Sequence, residues 1–120
     1  MAKILVVDDE KLICEEFQEL MQEDGHEVDI AANGMEALQK VKGHAYDIVF
    51  LDVLMPRMEG RETFENIKKI SGTPVAIMSG YIPPHKEKEI LALGAVAVLK
   101  KPLDLGQVKR LIESLQRRKK

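Results

Sequence analysis

Three carboxylates, one hydroxyl and two ammonium groups follow short apolar runs in this chain of 120 residues. Asp8 and Asp9 come after Ile4–Val7, and Asp52 after Ile48–Leu51. Ser79 comes after Val75–Met78, and Lys100 and Lys101 after Ala95–Leu99. Brought together, the three carboxylates repel one another, and something must offset that charge. One divalent cation and one lysine ammonium would balance it. An oxygen-only donor set with few protein ligands suits Mg²⁺, which keeps several waters and bridges to phosphate oxygens. A carboxylate in that setting can attack a phosphoryl group and form an acyl phosphate. The cation and Lys101 would then neutralise charge on the equatorial oxygens, and the Ser79 hydroxyl could hydrogen-bond one of them. Taken singly, each residue has a plainer role. Asp9 suits a helix cap, Asp52 and Ser79 suit turns, and Lys101 suits a solvated surface. Their common position after apolar runs is what sets them apart.

The elements that must position them are legible from periodicity. Ile4–Val7, Val28–Ala32, Ile48–Leu51, Val75–Met78 and Ala95–Leu99 read as strands buried on both faces, all of them carrying β-branched Val or Ile. Helical spacing fills the intervals. The stripes are Ile13, Phe17, Leu20 and Met21; Met35, Leu38 and Val41; Phe64 and Ile67; Ile90, Leu91 and Leu93; and Val108, Leu111, Ile112 and Leu115. Asp24-Gly25 ends the first helix, Asn33-Gly34 opens the second and Gly43 closes it. Gly94 stops the fourth, while Pro83-Pro84 and Pro102 suit the entries to the fourth and fifth. Strands alternating with helices predict an α/β fold, a (βα)₅ doubly wound parallel sheet in order 2-1-3-4-5. Chemistry in such sheets sits beyond the carboxyl ends of the strands, where all these polar residues fall.

Composition bounds the rest. A length of 120 residues suits one domain spanning 1–120, large enough to bury roughly two-thirds of its unfolded surface without metals or disulfides. The single cysteine, Cys14, excludes a disulfide framework and fits a reducing compartment. No apolar run approaches a membrane span or a signal peptide, so a cytoplasmic protein is expected. The net charge of −2 hides an asymmetry: residues 1–99 hold 10 Lys/Arg against 18 Asp/Glu, and residues 100–120 hold 8 against 2. An acidic body argues against direct nucleic-acid binding. The basic end, residues 116–120, reads as the solvated last turn of a helix, a small partner patch or the start of a linker. His26, His44 and His85 lack metal-ligand spacing. No G-x-G-x-x-G or G-x-x-x-x-G-K-[ST] follows any strand, which removes the common nucleotide-binding folds.

As a set, four segments resemble the receiver domain of two-component response regulators. They are Ile4-Leu5-Val6-Val7-Asp8-Asp9-Glu10, the run from Asp52 through Met55-Pro56 to Gly60, Met78-Ser79-Gly80, and Lys101-Pro102. The resemblance covers the chain from Met1 to about Leu115. It implies that Asp52 is the phosphoacceptor, modified by a phosphohistidine of a sensor histidine kinase or a phosphotransfer protein. It implies that Asp9 is a direct Mg²⁺ ligand, that Asp8 acts through water, and that Asp52 and the backbone carbonyl of Leu54 complete the protein ligands. Ser79 matches the switch hydroxyl, Lys101 the lysine that pairs with the phosphoryl group, and Lys101–Pro102 a cis peptide. The implied output is a changed surface around helix 4, strand 5 and helix 5, read by an effector the sequence does not name. The implied role is a switch with self-dephosphorylation only, not an enzyme.

One departure bears on mechanism. The family usually places Tyr or Phe three residues before the lysine, where this chain has Val98, so the usual aromatic rotamer switch cannot operate. Tyr81, two residues past Ser79, either screens the phosphoryl group from water or points outward toward a partner. The competing function is an aspartyl-phosphate hydrolase on a similar frame. Such phosphatases commonly carry an acid two residues past the nucleophile, where this chain has Leu54. Both a stand-alone receiver and a piece of a longer regulator fit the sequence.

Overall fold

The computed structural model describes residues 2–53 and 58–118. Five strands, β1 (Lys3–Val7), β2 (Glu27–Ala31), β3 (Ile48–Asp52), β4 (Val75–Ser79) and β5 (Ala97–Lys100), alternate with five helices. The helices are α1 (Lys11–Glu23), α2 (Gly34–Gly43), α3 (Met58–Ile70), α4 (Pro84–Ala92) and α5 (Leu105–Arg118). All strand pairs are parallel, in the order β2-β1-β3-β4-β5. This is the (βα)₅ arrangement that the alternation predicts.

Successive side chains on a strand point to opposite faces, so each strand feeds two cores. Leu5, Val7, Val49, Leu51 and Ile77 pack with Ala37, Val41, Phe64 and Ile67 of α2 and α3. Ile4, Val6, Ile48, Phe50 and Met78 pack with Cys14, Phe17 and Met21 of α1 and Val108 and Ile112 of α5. Phe50 is fully buried, its ring centroid 5.1 Å from that of Phe17. Truncating such a residue to alanine typically costs about 3–5 kcal/mol.

Some element boundaries and faces differ from the periodicity. Ala95 belongs to the turn after α4, because its N–H donates to Ile90, and β5 begins at Ala97, although the Val96 N–H already donates to Val75 of β4. Ala32 leaves β2 because its N–H donates to the Glu36 carboxylate of α2. Pro102 does not open α5. The helix starts later, with Asp104 Oδ1 accepting the Gly106 and Gln107 N–H groups, which an Asx cap does readily. Met35 is 74% exposed and Leu20 38%, so the inward stripes run instead through Cys14, Phe17 and Met21 on α1 and Ala37 and Val41 on α2. Among the described residues no helix is long and apolar enough to cross a membrane.

The opposite end of the sheet from the carboxylates carries a pH-sensitive contact. The Ala2 N–H donates to His26 Nδ1 at 2.9 Å. Burial, then the positive charge of the chain's amino group, pulls the His26 pKa below its ordinary 6.5, with Asp24 opposing. Protonated Nδ1 cannot accept a hydrogen bond. The contribution is therefore complete above pH 6.5 and is lost as pH falls through the depressed folded-state value. In His26→Asn the amide oxygen can replace Nδ1 without titrating. We expect the urea midpoint of the parent, taken relative to that of the variant, to fall between pH 7.5 and pH 5; parallel profiles would exclude this contact as a source.

Candidate functional site

β1 and β3 are adjacent and in register, Val7 opposite Leu51, so Asp8 and Asp52 leave the sheet side by side. β5 lies two strands away from β3, and the residue beyond it is tied inward: the Lys101 N–H donates to the Ser79 carbonyl at 2.8 Å. The Lys101–Pro102 peptide is cis, as the resemblance implies. From there Lys101 Nζ reaches Asp8 Oδ2 at 2.7 Å and Asp52 Oδ2 at 3.2 Å. Three residues read from separate strand ends therefore meet in one ion-paired group.

The group is buried and unequally satisfied. Side-chain exposure is 0% at Asp8, 4% at Asp52 and 18% at Lys101. Asp8 uses both oxygens, since its Oδ1 accepts the Glu10 N–H at 2.9 Å, and its backbone carbonyl accepts the Cys14 thiol at 3.4 Å. Asp52 Oδ1 is buried with no hydrogen-bond partner among the described residues. Burial, followed by the charge of Asp8, pushes the Asp52 carboxyl from 3.8 up to about 6; Lys101 opposes the shift and Asp9 adds to it. At Lys101, burial favours the neutral amine, but the hydrogen bond to Asp8 and the charge of Asp52 outweigh it and raise the pKa. Burial, with Asp8 second, pushes the Cys14 thiol up to about 11, which leaves it un-ionised and unreactive at neutral pH.

Asp9 is exposed and does not act as the N-cap of α1; that position is Glu10, whose side chain makes no capping bond. Carboxylate oxygens of Asp8, Asp9 and Glu10 lie within 4.8 Å of one another. Beside them a cleft of about 140 Å³ is lined by Asp8, Asp9 and Asp52, with α2 and α3 forming its far wall. The unpartnered Asp52 Oδ1, an all-oxygen donor set and net negative charge together fit a hard divalent cation. Leu54 lies outside the described residues.

Ser79 is 4% exposed, and its hydroxyl is engaged within its own loop. Oγ donates to the Tyr81 carbonyl at 3.2 Å and accepts the Tyr81 N–H at 3.4 Å. The Tyr81 side chain takes the outward orientation, 70% exposed. Val98 is half-buried against the α2–α3 core.

The sequence reading missed the cleft's far wall. Asn33 and Gly34 line it together with Gly60 and Thr63. Gly34 opens α2 directly against the Thr63 hydroxyl, leaving no room for a Cβ. The available signal was Thr63 itself, a polar residue in register with the buried Phe64 and Ile67 of α3.

A family model described as the response regulator receiver domain matches residues 4–113. The chain belongs to the response regulator receiver family. This receiver is 36% identical over 118 residues to the transcriptional regulatory protein CpxR homolog of Haemophilus influenzae, covering 98% of the chain and 52% of that protein. It is 40% identical over 106 residues to the transcriptional regulatory protein ZraR of Klebsiella oxytoca, covering 88% of the chain and 24% of that protein. The chain thus spans about half of one relative and a quarter of the other. Among solved structures, the Francisella response regulator 1452 receiver domain superposes with a TM-score of 0.89 at 30% identity, over 100% of both chains. Response regulator TrrA from Thermotoga maritima, in complex with Mg(2+)-BeF, superposes with a TM-score of 0.81 at 34% identity, over 96% of this chain and 99% of that one. The acidic cluster and lysine thus sit on the fold of a two-component response regulator receiver domain.

Proposed function

We propose that Asp52 accepts a phosphoryl group from a histidine of a sensor kinase or phosphotransfer protein, and that the modified state alters an output surface. The observation that carries this reading is the half-satisfied carboxylate of Asp52. Buried polar atoms in native structures are nearly always hydrogen-bonded, and an exception calls for a functional explanation. Here Oδ2 is paired with Lys101, while Oδ1 has no hydrogen-bond partner among the described residues.

In the transfer, a carboxylate oxygen of Asp52 attacks phosphorus, and the phosphorus–nitrogen bond breaks with its electron pair going to the imidazole. Lys101, held between Asp8 and Asp52, neutralises charge on a phosphoryl oxygen. Ser79 exchanges its bonds to Tyr81 for one to another phosphoryl oxygen. Asp8, Asp9, Asp52 and the Leu54 carbonyl are the residues that would hold Mg²⁺, with Asp8 acting through water. The bound cation supplies charge neutralisation. The phosphoryl group brings roughly −2 charge to Asp52.

The surface expected to change is the one around α4, β5 and α5, where Leu91 and Leu93 are 42% and 41% exposed. Couplings of this kind are typically about 1–3 kcal/mol. With Val98 in place of a ring, the movement of Ser79 passes directly to the loop carrying Tyr81. The acidic body makes a protein the expected output partner, and direct nucleic-acid binding by these residues is not part of this reading.

Incubation with acetyl phosphate and Mg²⁺, followed by intact mass, tests the assignment. We expect one phosphoryl adduct that depends on Mg²⁺. Steady phosphate release without an adduct would favour an aspartyl-phosphate hydrolase instead.

A further inference from the structure

α4 buries none of its side chains. Its attachment comes from its flanks: Ile82 before it and Ala95 after it are buried, and Ile90 is half-buried against the same core. The carboxyl end is closed by a glycine cap, with the Gly94 N–H donating to Leu91 at 3.0 Å and the Ala95 N–H to Ile90 at 3.4 Å. Gly94 has φ +110°, a conformation glycine adopts without strain.

Those two bonds leave the Gly94 carbonyl free of the helix, and it is taken from another element. Lys68, in the last turn of α3, donates from Nζ to the Gly94 oxygen at 3.4 Å. The same ammonium lies 5.8 Å from the ring centroid of Phe64, which is 3% exposed. A Cβ at position 94 would push the Lys68 ammonium aside, and the positive φ by itself calls for glycine there. A cation at this end also complements the α4 dipole. At its other end α3 lines the acidic cleft through Gly60 and Thr63. One helix therefore touches the cleft near its start and α4 near its finish.

We infer that Lys68 is a positioning residue that latches α4 to α3 in the resting receiver, so that its release favours the phosphoryl-bound arrangement. This rests on the phosphoacceptor reading of Asp52. Linkage is reciprocal: a latch that favours the resting state weakens binding of a phosphoryl stand-in by the factor with which that stand-in loosens the latch.

The test compares the parent with Lys68→Met, which keeps a long unbranched side chain but removes the donor and charge, and Lys68→Arg, which keeps both. Two readouts are needed: amide hydrogen exchange at Leu93, Gly94 and Ala95, and affinity for beryllium fluoride in Mg²⁺. A cation at a helix terminus predicts exchange about two- to fivefold faster in Lys68→Met, with Ile4–Val7 unchanged, and beryllium fluoride affinity tighter by a similar factor. Lys68→Arg should stay near the parent. Faster exchange with unchanged affinity overturns the coupling and leaves Lys68 a structural cap. Unchanged exchange overturns the latch. A parent that fails to bind beryllium fluoride overturns the phosphoacceptor reading, and the coupling with it.

Discussion

Asp52→Asn is expected to take up no phosphoryl group from acetyl phosphate and Mg²⁺, and to unfold at a higher temperature than the parent when the cation is absent. The first result follows because an amide is not a nucleophile toward phosphorus at neutral pH. The second follows from electrostatics. Burial and the charge of Asp8 push the Asp52 carboxyl up to about 6 from 3.8. An acid whose folded-state pKa is raised is a liability at any pH where it must ionise. That shift is already net of the opposing Lys101 contact, so removing the charge is expected to stabilise the metal-free fold by about 1–3 kcal/mol at neutral pH. Mg²⁺ should raise the melting temperature of the parent, because binding to the folded state relieves the same repulsion. It should do much less for the variant. Thermal melts with and without millimolar Mg²⁺, alongside intact mass, check both halves. A variant that melts below the parent in chelator would show that the Asp52 charge is not the destabilising element.

Lys101→Met should destabilise the metal-free receiver by about 3–5 kcal/mol at pH 7.5, the range for removing one partner of a buried ion pair. Its ammonium is shared by Asp8 and Asp52, whose side chains are nearly inaccessible, and the methionine side chain offers neither carboxylate a donor. The pH dependence gives the effect a signature. Without Lys101, the carboxyl of Asp52 loses the contact that opposes its upward shift. The folded variant then holds a proton that the unfolded chain releases, so its stability should improve as pH falls from 7.5 toward 5. Urea denaturation of parent and variant at the two pH values measures this. Equal losses at both would place the cost in packing rather than in two buried like charges. Because Asp8 and Asp52 stay in place, the variant should still gain stability from Mg²⁺ while labelling slowly.

Chain order alone already determined the architecture and the edge on which chemistry occurs. Each strand is a short apolar run, since both faces of a parallel sheet are covered, and each helix announces a 3.6-residue stripe. Parallel strands all finish at the same edge, so Asp8, Asp9, Asp52, Ser79 and Lys101 could be grouped without coordinates. Residue chemistry suggested a carboxylate nucleophile with a divalent cation, Lys101 and Ser79 around a phosphoryl group, whereas the assignment of Asp52 as acceptor and of Asp8 and Asp9 to the cation came from resemblance to a family. Boundaries were legible where the backbone demands a residue type, as at Gly94, and failed where a side chain competes for the backbone, as Glu36 does at Ala32 and Asp104 does before α5.

Pairings across the fold were decided only by the tertiary structure. Periodicity marks a face as apolar without saying whether anything covers it, which is why Met35 and Leu20 read as inward yet are exposed. Spacing placed Lys101 near three carboxylates but not on two of them; its 2.7 Å bond joins residues 93 positions apart. The unpartnered Asp52 oxygen and the reach of Lys68 to Gly94 are of the same kind. Each depends on which helix or strand end arrives opposite, and on whether the hydrogen bonds a side chain can make are already taken. Those quantities belong to the packed arrangement of elements, and local sequence carries no record of them.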